Sequence, residues 1–194
     1  MIGSQARFER VALDAAQWGR MLSGFADRIP HQTPACLAFL AESQRGEPAQ
    51  GALRDGNQTL GYFTGLIVRK FRLKVLGSPF RGWSTPYLGF NLRPDVPRRL
   101  AVAALPDFVF RQLGCIHVEV TDSHTGPEDV RGLGFHCEVH ATVINDLAQS
   151  EEALLRNMNS YRRRDIRRAE KHGVTIEEAR DGGFADEFAG STRA

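Results

Sequence analysis

The most restrictive feature of the sequence is a β-rich stretch between residues 52 and 76 that contains a tight-turn signal. Residues 52–54, 58–69 and 71–76 are rich in strand-forming side chains. Asp55-Gly56-Asn57 lies between the first two segments and supplies residues that tolerate positive φ. Strands joined by so short a turn run antiparallel. The sequence therefore predicts an antiparallel central sheet.

Two helices are predicted before this sheet, after a short strand at residues 7–13. Asp14 is a candidate N-cap, and Thr33 with Pro34 opens a second helix at residues 35–43. The first helix carries apolar residues at helical spacing, which predicts a buried stripe. These residues are Trp18, Leu22, Phe25 and Ile29.

Loops and a kinked helix are predicted around the sheet. Residues 44–51 are rich in glycine, proline, glutamine and charged residues, which indicates a surface loop. Residues 77–97 mix glycine, proline and aromatic residues without a period, which indicates a long ordered or functional loop. Residues 98–113 have a helical composition, but Pro106 should kink that helix. Gly114 is a plausible stop.

Two later segments alternate apolar and polar residues, which is typical of half-buried strands. They are residues 116–120 and 135–144. If these strands are neighbours, their polar faces carry His117, Glu119, His136, Glu138 and His140. Strand spacing gives no sign that three of these side chains converge as metal ligation requires, so no metal site is predicted.

Composition excludes several classes of protein. Apolar residues make up 42% and charged residues 25% of the 194 residues, which is enough hydrophobic material for a folded core. Cys36, Cys115 and Cys137 are too few and scattered for a disulfide framework. The sequence shows neither a signal peptide nor an apolar run of about 18 residues. A cytoplasmic protein without a membrane span is expected.

Residues 150–172 are predicted to form one basic amphipathic helix, capped by Ser150 and ended by Gly173. Its cationic residues are Arg156, Arg162, Arg163, Arg164, Arg167, Arg168 and Lys171. One interpretation is a solvated face with local ion pairs such as Arg167 with Glu170. The other is a polyanion-binding surface formed by the six cations from Arg162 to Lys171. A strand at 174–179 and a helical tail from Phe184 are predicted to follow.

A family resemblance rests mainly on TVINDLAQSEEALLRNMNSYRRRDIRRAEKHGVTIEEA. This stretch resembles the segment that links the two lobes of FemAB-like proteins, which have the GNAT acyltransferase fold. HQTPACLAFL and WSTPYLGF are similar to the start of that family's second helix and to its loop after the central strands. The order of predicted elements is also that of the GNAT fold.

The resemblance implies an α/β (α+β) fold with a mixed, mainly antiparallel GNAT-like sheet flanked by helices. It implies an N-terminal GNAT-like lobe at residues 1–147, with the basic linking helix and the beginning of a second lobe at 148–194. The chain would then be truncated early in that second lobe. Ordinary GNAT enzymes bind coenzyme at a glycine loop before a helix, and the nearest match, residues 131–136, has a wrong last position and leads into a predicted strand.

The resemblance also implies acyl transfer. The donor would be acyl-CoA or aminoacyl-tRNA, with no firmly bound cofactor, and the acceptor a small molecule or a cell-envelope precursor with an amine or hydroxyl group. For acceptor binding, Trp83, Tyr87, Arg81 and Arg93 combine stacking surfaces with charge; the alternative is that the aromatic residues plug the end of the sheet. The catalytic residues are unknown; His117, Glu119 and Asp95 are weak candidates.

Three functional hypotheses follow: a FemAB-like acyltransferase, an inactive remnant or binding module that keeps the acceptor lobe, and a nucleic-acid-binding protein that uses the arginine-rich helix for a ligand such as tRNA. The apolar seam of that helix includes Leu155, Met158 and Ile166. It predicts self-association or contact with a partner that supplies the missing lobe.

Overall fold

The computed structural model describes residues 6–178 and 183–184. The described residues form two compact units that divide between His140 and Ala141. The first unit contains an open, mainly antiparallel sheet with helices, which confirms the predicted mixed α/β class at that level. No helix among these residues is long and apolar enough to cross a membrane.

The first unit begins with a strand, two helices and three further strands. These elements are β1 (Arg7–Arg10), α1 (Ala15–Leu22), a 3-10 turn (Pro30–Gln32), α2 (Pro34–Ser43), β2 (Glu47–Asp55), β3 (Gln58–Lys70) and β4 (Leu73–Ser78). Asp14 caps α1 by accepting a hydrogen bond from Gln17 N at 2.7 Å, as predicted. The stripe was predicted to run to Ile29, but α1 ends at Leu22, so Phe25 and Ile29 lie in the following loop.

The unit continues with β5 (Phe90–Leu92), α3 (Arg98–Pro106), a π-helical segment (Asp107–Gln112), β6 (His117–Val120) and the short helix α4 (Pro127–Val130). The helix changes its hydrogen-bond pattern immediately after Pro106, where the sequence predicted a kink. Gly114 follows with φ of +67°, a conformation that suits the predicted stop.

The sheet has the strand order β1-β2-β3-β4-β6, and β5 pairs with the part of β3 that β4 leaves free. β1 to β4 are antiparallel neighbours, whereas β4 and β6 run parallel. Gly56 lies in the β2–β3 turn with φ of +56°, which confirms the predicted hairpin. The parallel pair requires a crossover, which the segment containing α3 provides.

Helices cover both faces of the sheet. Tyr62 and Phe63 are consecutive in β3 and therefore point to opposite faces. Tyr62 packs edge-on against Trp18 of α1, and Phe63 packs against Phe108 of the π-helical segment. Phe8 joins Phe63 and Phe108 in the larger core cluster.

The predicted loop at residues 44–51 is wrong, because β2 begins at Glu47. Ala49 is fully buried in the main core, and Gly51 pairs with Arg10 on one side and Phe63 on the other. A Cβ at Gly51 would lie 2.8 Å from the Phe108 ring, so glycine here permits close packing. Tertiary packing outweighs the loop-like local composition.

The predicted strand at residues 135–144 is also wrong, because none of these residues pairs in a sheet. Phe135 packs partly against the main core, whereas Val139 and Val143 are 74% and 85% exposed. Alternation marks a strand only where a neighbour supplies hydrogen bonds and cover. Residues 174–178, the described part of another predicted strand, are likewise unpaired.

The second unit contains α5 (Glu151–Asn157) and α6 (Ser160–Lys171), so the single helix predicted for residues 150–172 is wrong. The backbone is extended at Met158, and Asn159 caps α6 by accepting from Tyr161 N at 2.9 Å. An asparagine side chain that competes for backbone groups explains the break. Ser150 caps α5 as predicted, and Gly173 follows α6 with φ of +72°. The predicted tail beyond Phe184 lies outside the described residues.

Candidate functional site

The candidate site is built around the loop at residues 79–89, which leaves the sheet after β4 and returns at β5. Thr64 N donates to Gly89 O at 3.1 Å. Gly89 N donates to Ser78 Oγ at 2.9 Å, and Ser78 Oγ donates to Thr64 O. Both ends of the loop are therefore tied to the same point of β3.

A buried ion triad fixes the return of this loop. We call Asp27, Arg98 and Asp122 the buried clamp; their side chains are 19%, 15% and 3% exposed. Arg98 Nη1 lies 2.9 Å from Asp122 Oδ2, and Arg98 Nη2 lies 3.0 Å from Asp27 Oδ2. The clamp joins the segment after α1, the start of α3 and the end of β6.

Asp122 also accepts hydrogen bonds from neutral donors. These bonds replace the hydration that its carboxylate loses on burial. Phe90 N and His124 N each donate at 2.9 Å, and Thr125 Oγ1 donates at 3.0 Å. A Cβ at Gly89 would lie 2.1 Å from Asp122 Oδ2. The carboxylate can therefore approach only because residue 89 lacks a side chain.

An amide pair extends the clamp to the 3-10 turn. Asn91 Nδ2 donates to Asp27 Oδ1 at 3.2 Å and to Gln32 Oε1 at 3.1 Å. Gln32 Nε2 donates to Leu88 O at 2.8 Å, and Trp18 Nε1 donates to Gln32 O at 2.7 Å. These bonds hold the base of the loop rigidly against the helical layer beside α1.

The outer part of the loop carries three of the four predicted acceptor-binding residues. Trp83 is half-buried and packs edge-on against Phe80 at 5.1 Å, and Phe80 lies directly over Gly77. This contact agrees with the packing interpretation of Trp83, and acceptor binding by its ring stays a prediction. Tyr87 is half-buried and Arg81 is exposed.

Arg81 joins two groups of polar side chains. Its backbone N–H donates to Glu119 Oε2 at 3.0 Å, and its Nη1 donates to Glu138 Oε2 at 3.3 Å. His117 Nε2 lies 3.2 Å from Glu119 Oε1. Glu138 also contacts His136 and His140, each at 3.4 Å. We call Arg81, His117, Glu119, His136, Glu138 and His140 the polar cluster.

The charge of Glu119 is stabilised within this cluster. The hydrogen bond from Arg81 N is the main reason that the pKa of Glu119 lies below its usual value of 4.5, and the contact with His117 lowers it further. A carboxylate with a lowered pKa is a poor proton acceptor. Glu119 therefore suits the orientation of His117, and His117 is the better candidate base.

Arg93 and Asp95 lie just after β5 and bind each other. Arg93 Nε donates to Asp95 Oδ1 at 3.0 Å, and Arg93 Nη2 donates to Asp95 Oδ2 at 2.7 Å. This pairing is the main cause of the lowered pKa of Asp95. The two charges are therefore paired with each other. The sequence predicted that Arg93 binds the acceptor and offered Asp95 as a candidate catalytic residue.

The structure bears on two other kinds of site. Gly132 and Gly134 have φ of +73° and +79°, but residues 135–148 form no helix, so residues 131–136 do not precede the helix N-terminus that binds a coenzyme diphosphate.

Among the described residues, no group of three or more His, Cys, Asp or Glu side chains is placed to hold a metal ion.

The predicted polyanion-binding residues lie on α6 but are not equivalent. Arg163 Nη1 donates to Arg156 O at 2.9 Å and also to Met158 O, which closes the end of α5. The Arg164 guanidinium lies 5.3 Å from the centre of the Tyr161 ring. Arg162, Arg167, Arg168 and Lys171 are exposed.

The predicted pair between Arg167 and Glu170 is not formed. Ion pairs within 4.0 Å among the described residues involve none of the α6 cations. The interpretation that local salt bridges neutralise this helix therefore loses its main support.

Sequence reasoning missed the residues that position the loop: Asp27, Gln32, Ser78, Asn91, Arg98 and Asp122. Their bonded partners are far apart in sequence, such as Asp27 with Arg98 at 71 residues and Gln32 with Asn91 at 59 residues, and they fall in no periodic pattern. Two signals were available in the sequence: Asn91 is a polar residue within the apolar stretch FNL, and Asp122 follows the strand that ends at Val120. Neither signal identifies a partner.

Comparison of the chain with protein-family models, with curated proteins and with solved structures gave no match.

Proposed function

We propose that this chain provides the acceptor-binding lobe of an acyltransferase of the FemAB-like GNAT type. Support comes from the motif resemblance and from the element order, in which antiparallel β1 to β4 are followed by a crossover to the parallel strand β6. The loop at 79–89 leaves the sheet at the carboxyl end of β4. Open sheets bind ligands outside the carboxyl ends of parallel strands.

The single observation that carries the proposal is the His117–Glu119 contact of 3.2 Å beside Arg81. A base held by an ionised carboxylate is the arrangement that proton removal from an amine or hydroxyl requires. The His117 side chain is 55% exposed, so an acceptor can reach the imidazole.

In the proposed reaction, the acceptor nitrogen or oxygen attacks the carbonyl carbon of the donor. The bond from that carbon to the thiolate or to the tRNA oxygen breaks, and the acceptor proton passes to His117. Arg81 and the ring of Tyr87 bind the acceptor, while the buried clamp holds the loop that carries them. Positioning supplies much of the rate in such a reaction.

The donor is a substrate of the proposed reaction, either acyl-CoA or aminoacyl-tRNA. Residues 131–136 do not fit a coenzyme diphosphate, because no helix follows them. The proposal therefore assigns acceptor binding and proton transfer to the described residues, and no contact with the donor.

The test is acyl transfer by the full chain with acyl-CoA and a panel of amine acceptors, followed through free thiol release, and with aminoacyl-tRNA, followed through the acylated acceptor. His117→Ala should lower the rate about 100-fold or more, since general-base catalysis contributes on the order of 10²–10⁴. Glu119→Gln should lower it less. His172→Ala, at the end of α6, is the matched histidine control.

An active protein whose rate is unchanged by His117→Ala would contradict the assigned chemistry. Failure to transfer from any donor would favour the alternative of an inactive remnant or binding module. In that case, the same acceptors should still be tested for binding, because a retained acceptor lobe predicts a loss of affinity on Arg81→Ala.

Polyanion binding by α6 is a second candidate function. It is favoured by the exposure of Arg162, Arg167, Arg168 and Lys171 without ion-pair partners among the described residues. Exposed cations at close spacing bind phosphates by releasing counterions. Salt-dependent retention on RNA tests this candidate.

A further inference from the structure

The hairpin that joins β3 to β4 ends in an exposed aromatic residue. Lys70 and Leu73 form the last strand pair, so Phe71 and Arg72 make a two-residue turn. The Phe71 side chain is fully exposed. A large apolar side chain at the tip of a hairpin, in contact with no core, has no evident use within the fold.

Phe71 also has an unfavourable backbone conformation. Its φ is +57°, in the left-handed region that disfavours residues with a Cβ. Turn positions of this kind normally hold glycine, asparagine or aspartate. The other described non-glycine residue with positive φ is Arg45, at +50°, which follows the end of α2 where a left-handed residue is common. Phe71 has neither that explanation nor buried contacts to offset the strain.

Cations surround the aromatic tip. Arg69, Lys70 and Arg72 are exposed, and the ion pairs found among the described residues include none of them. Leu73 is 50% exposed and adds a second apolar side chain. Lys74 differs from the other cations, because its Nζ donates to Leu113 O at 3.2 Å.

We propose that the β3–β4 hairpin tip docks the protein on anionic lipid membranes. Phe71 and Leu73 enter the boundary between headgroups and acyl chains, and Arg69, Lys70 and Arg72 bind the anionic headgroups. Strain at Phe71 is retained because it projects the ring away from the protein. This proposal rests on the hairpin alone and is independent of the proposed acyl transfer.

Charge and shape favour a membrane over a nucleic acid as the partner. Phe71 stands in the turn beside Arg72, Leu73 follows as the first residue of β4, and Arg69 and Lys70 end β3, so cations flank both apolar side chains. That arrangement matches a surface whose charge is outermost and whose interior is apolar. Leu73 has no ring to stack on a base, so a nucleic acid would leave it unused.

The experiment is sedimentation of the full chain with phosphatidylcholine vesicles, with and without phosphatidylglycerol. We expect binding to the anionic vesicles only. Replacing Arg69, Lys70 and Arg72 together by glutamine should weaken binding on the order of 100-fold, since each cation near an anionic surface contributes about fivefold. Phe71→Gly should weaken it about tenfold through the loss of the buried ring.

Phe71→Gly separates binding from folding, because glycine relieves the positive-φ strain and should keep or raise the thermal midpoint. Phe39→Ala is the matched control: Phe39 is 64% exposed on α2, and its replacement should leave vesicle binding unchanged. A second control, Arg167→Ala with Arg168→Ala, reports whether α6 contributes to the affinity.

Three results would overturn the proposal. The first is no sedimentation of the wild type with anionic vesicles. The second is unchanged sedimentation of both hairpin variants, which would place the affinity on another surface such as α6. The third is binding of single-stranded RNA that exceeds vesicle binding and falls with Phe71→Gly, which would assign the tip to nucleic acid.

Discussion

Arginine occupies two contrasting environments in this protein. Arg98 lies between the carboxylates of Asp27 and Asp122, with a side chain only 15% exposed. The cations of α6 belong to a helix with no buried residue, and none of them pairs with a carboxylate within 4.0 Å among the described residues. The same side chain therefore organises a largely buried site in one unit and is mostly exposed to solvent in the other.

The difference follows from desolvation. A buried charge must recover its lost hydration through fixed partners, and both terminal nitrogens of Arg98 donate to carboxylate oxygens. An exposed charge keeps its hydration and gains little from a local pair. Substitutions at the clamp should therefore change folding stability, whereas substitutions on α6 should change ligand binding.

Arg98→Met should have the largest effect on stability. It removes the cation and leaves two largely buried carboxylates without their charge partner, which is expected to lower the free energy of unfolding by about 3–5 kcal/mol. Urea denaturation measures this change. Arg111→Met is the matched control, because Arg111 is 84% exposed and pairs with Asp107 on the surface. Equal effects of the two substitutions would remove the contrast between the environments.

Gly89→Ala tests how closely the clamp packs against the loop. Gly89 has φ of +64°, and an added Cβ would lie 2.1 Å from Asp122 Oδ2. We expect a loss of about 2–4 kcal/mol from strain and displacement of the carboxylate together. Gly82→Ala shares the positive φ, at +88°, but its Cβ would meet nothing within 4 Å. It should lose only about 1–2 kcal/mol.

The difference between these two glycine variants isolates the contact with Asp122. Denaturation midpoints of both, measured under one set of conditions, provide it. If Gly82→Ala proves as destabilising as Gly89→Ala, backbone strain alone accounts for the loss and the clamp does not require the close approach.

Arg163→Ala should have an intermediate effect, because Arg163 is an α6 cation that binds backbone carbonyls at the end of α5. Its guanidinium donates to Arg156 O and Met158 O at the end of α5. Loss of these bonds is expected to cost about 1 kcal/mol of local stability. Faster amide hydrogen exchange in residues 154–163 would show it. Arg167→Ala should leave exchange there unchanged, and equal acceleration in both variants would contradict the capping role.

Local sequence patterns predicted much of the fold. The cap at Asp14, the turn at Gly56 and the transition at Pro106 each depend on a few adjacent residues, and the structure confirms all three. Errors arose where the outcome depends on distant partners. Residues 135–144 alternate like a strand but find no neighbour. Glu47 to Gly51 lack strand composition but pair with β3, and Gly51 pairs with β1 as well.

The candidate site was predictable only in its outer part. The sequence shows the chemistry of the side chains of Arg81, His117 and Glu119. It does not show that Arg81 and Glu119, which are 38 residues apart, contact each other. The clamp was not predictable, because Asp27 and Arg98 are 71 residues apart and look like ordinary surface residues. Their importance comes from burial, which sequence spacing does not encode.

The smallest effect on stability is expected for Arg167→Ala with Arg168→Ala. Both residues are exposed and lack ion-pair partners among the described residues, so the free energy of unfolding should change by less than about 0.5 kcal/mol. Their value to the protein would lie in phosphate binding. Each phosphate contact with single-stranded RNA contributes about 0.7 to the slope of log affinity against log salt concentration.

Retention on single-stranded RNA at increasing salt therefore gives a quantitative test of that interpretation. Loss of two contacts should reduce the slope by about 1.4, while the thermal midpoint stays constant. Arg98→Met cannot serve as a control, because it affects folding; Arg111→Ala serves instead as an exposed arginine on the first unit. An unchanged slope would show that exposure and charge density on α6 do not amount to a polyanion-binding surface.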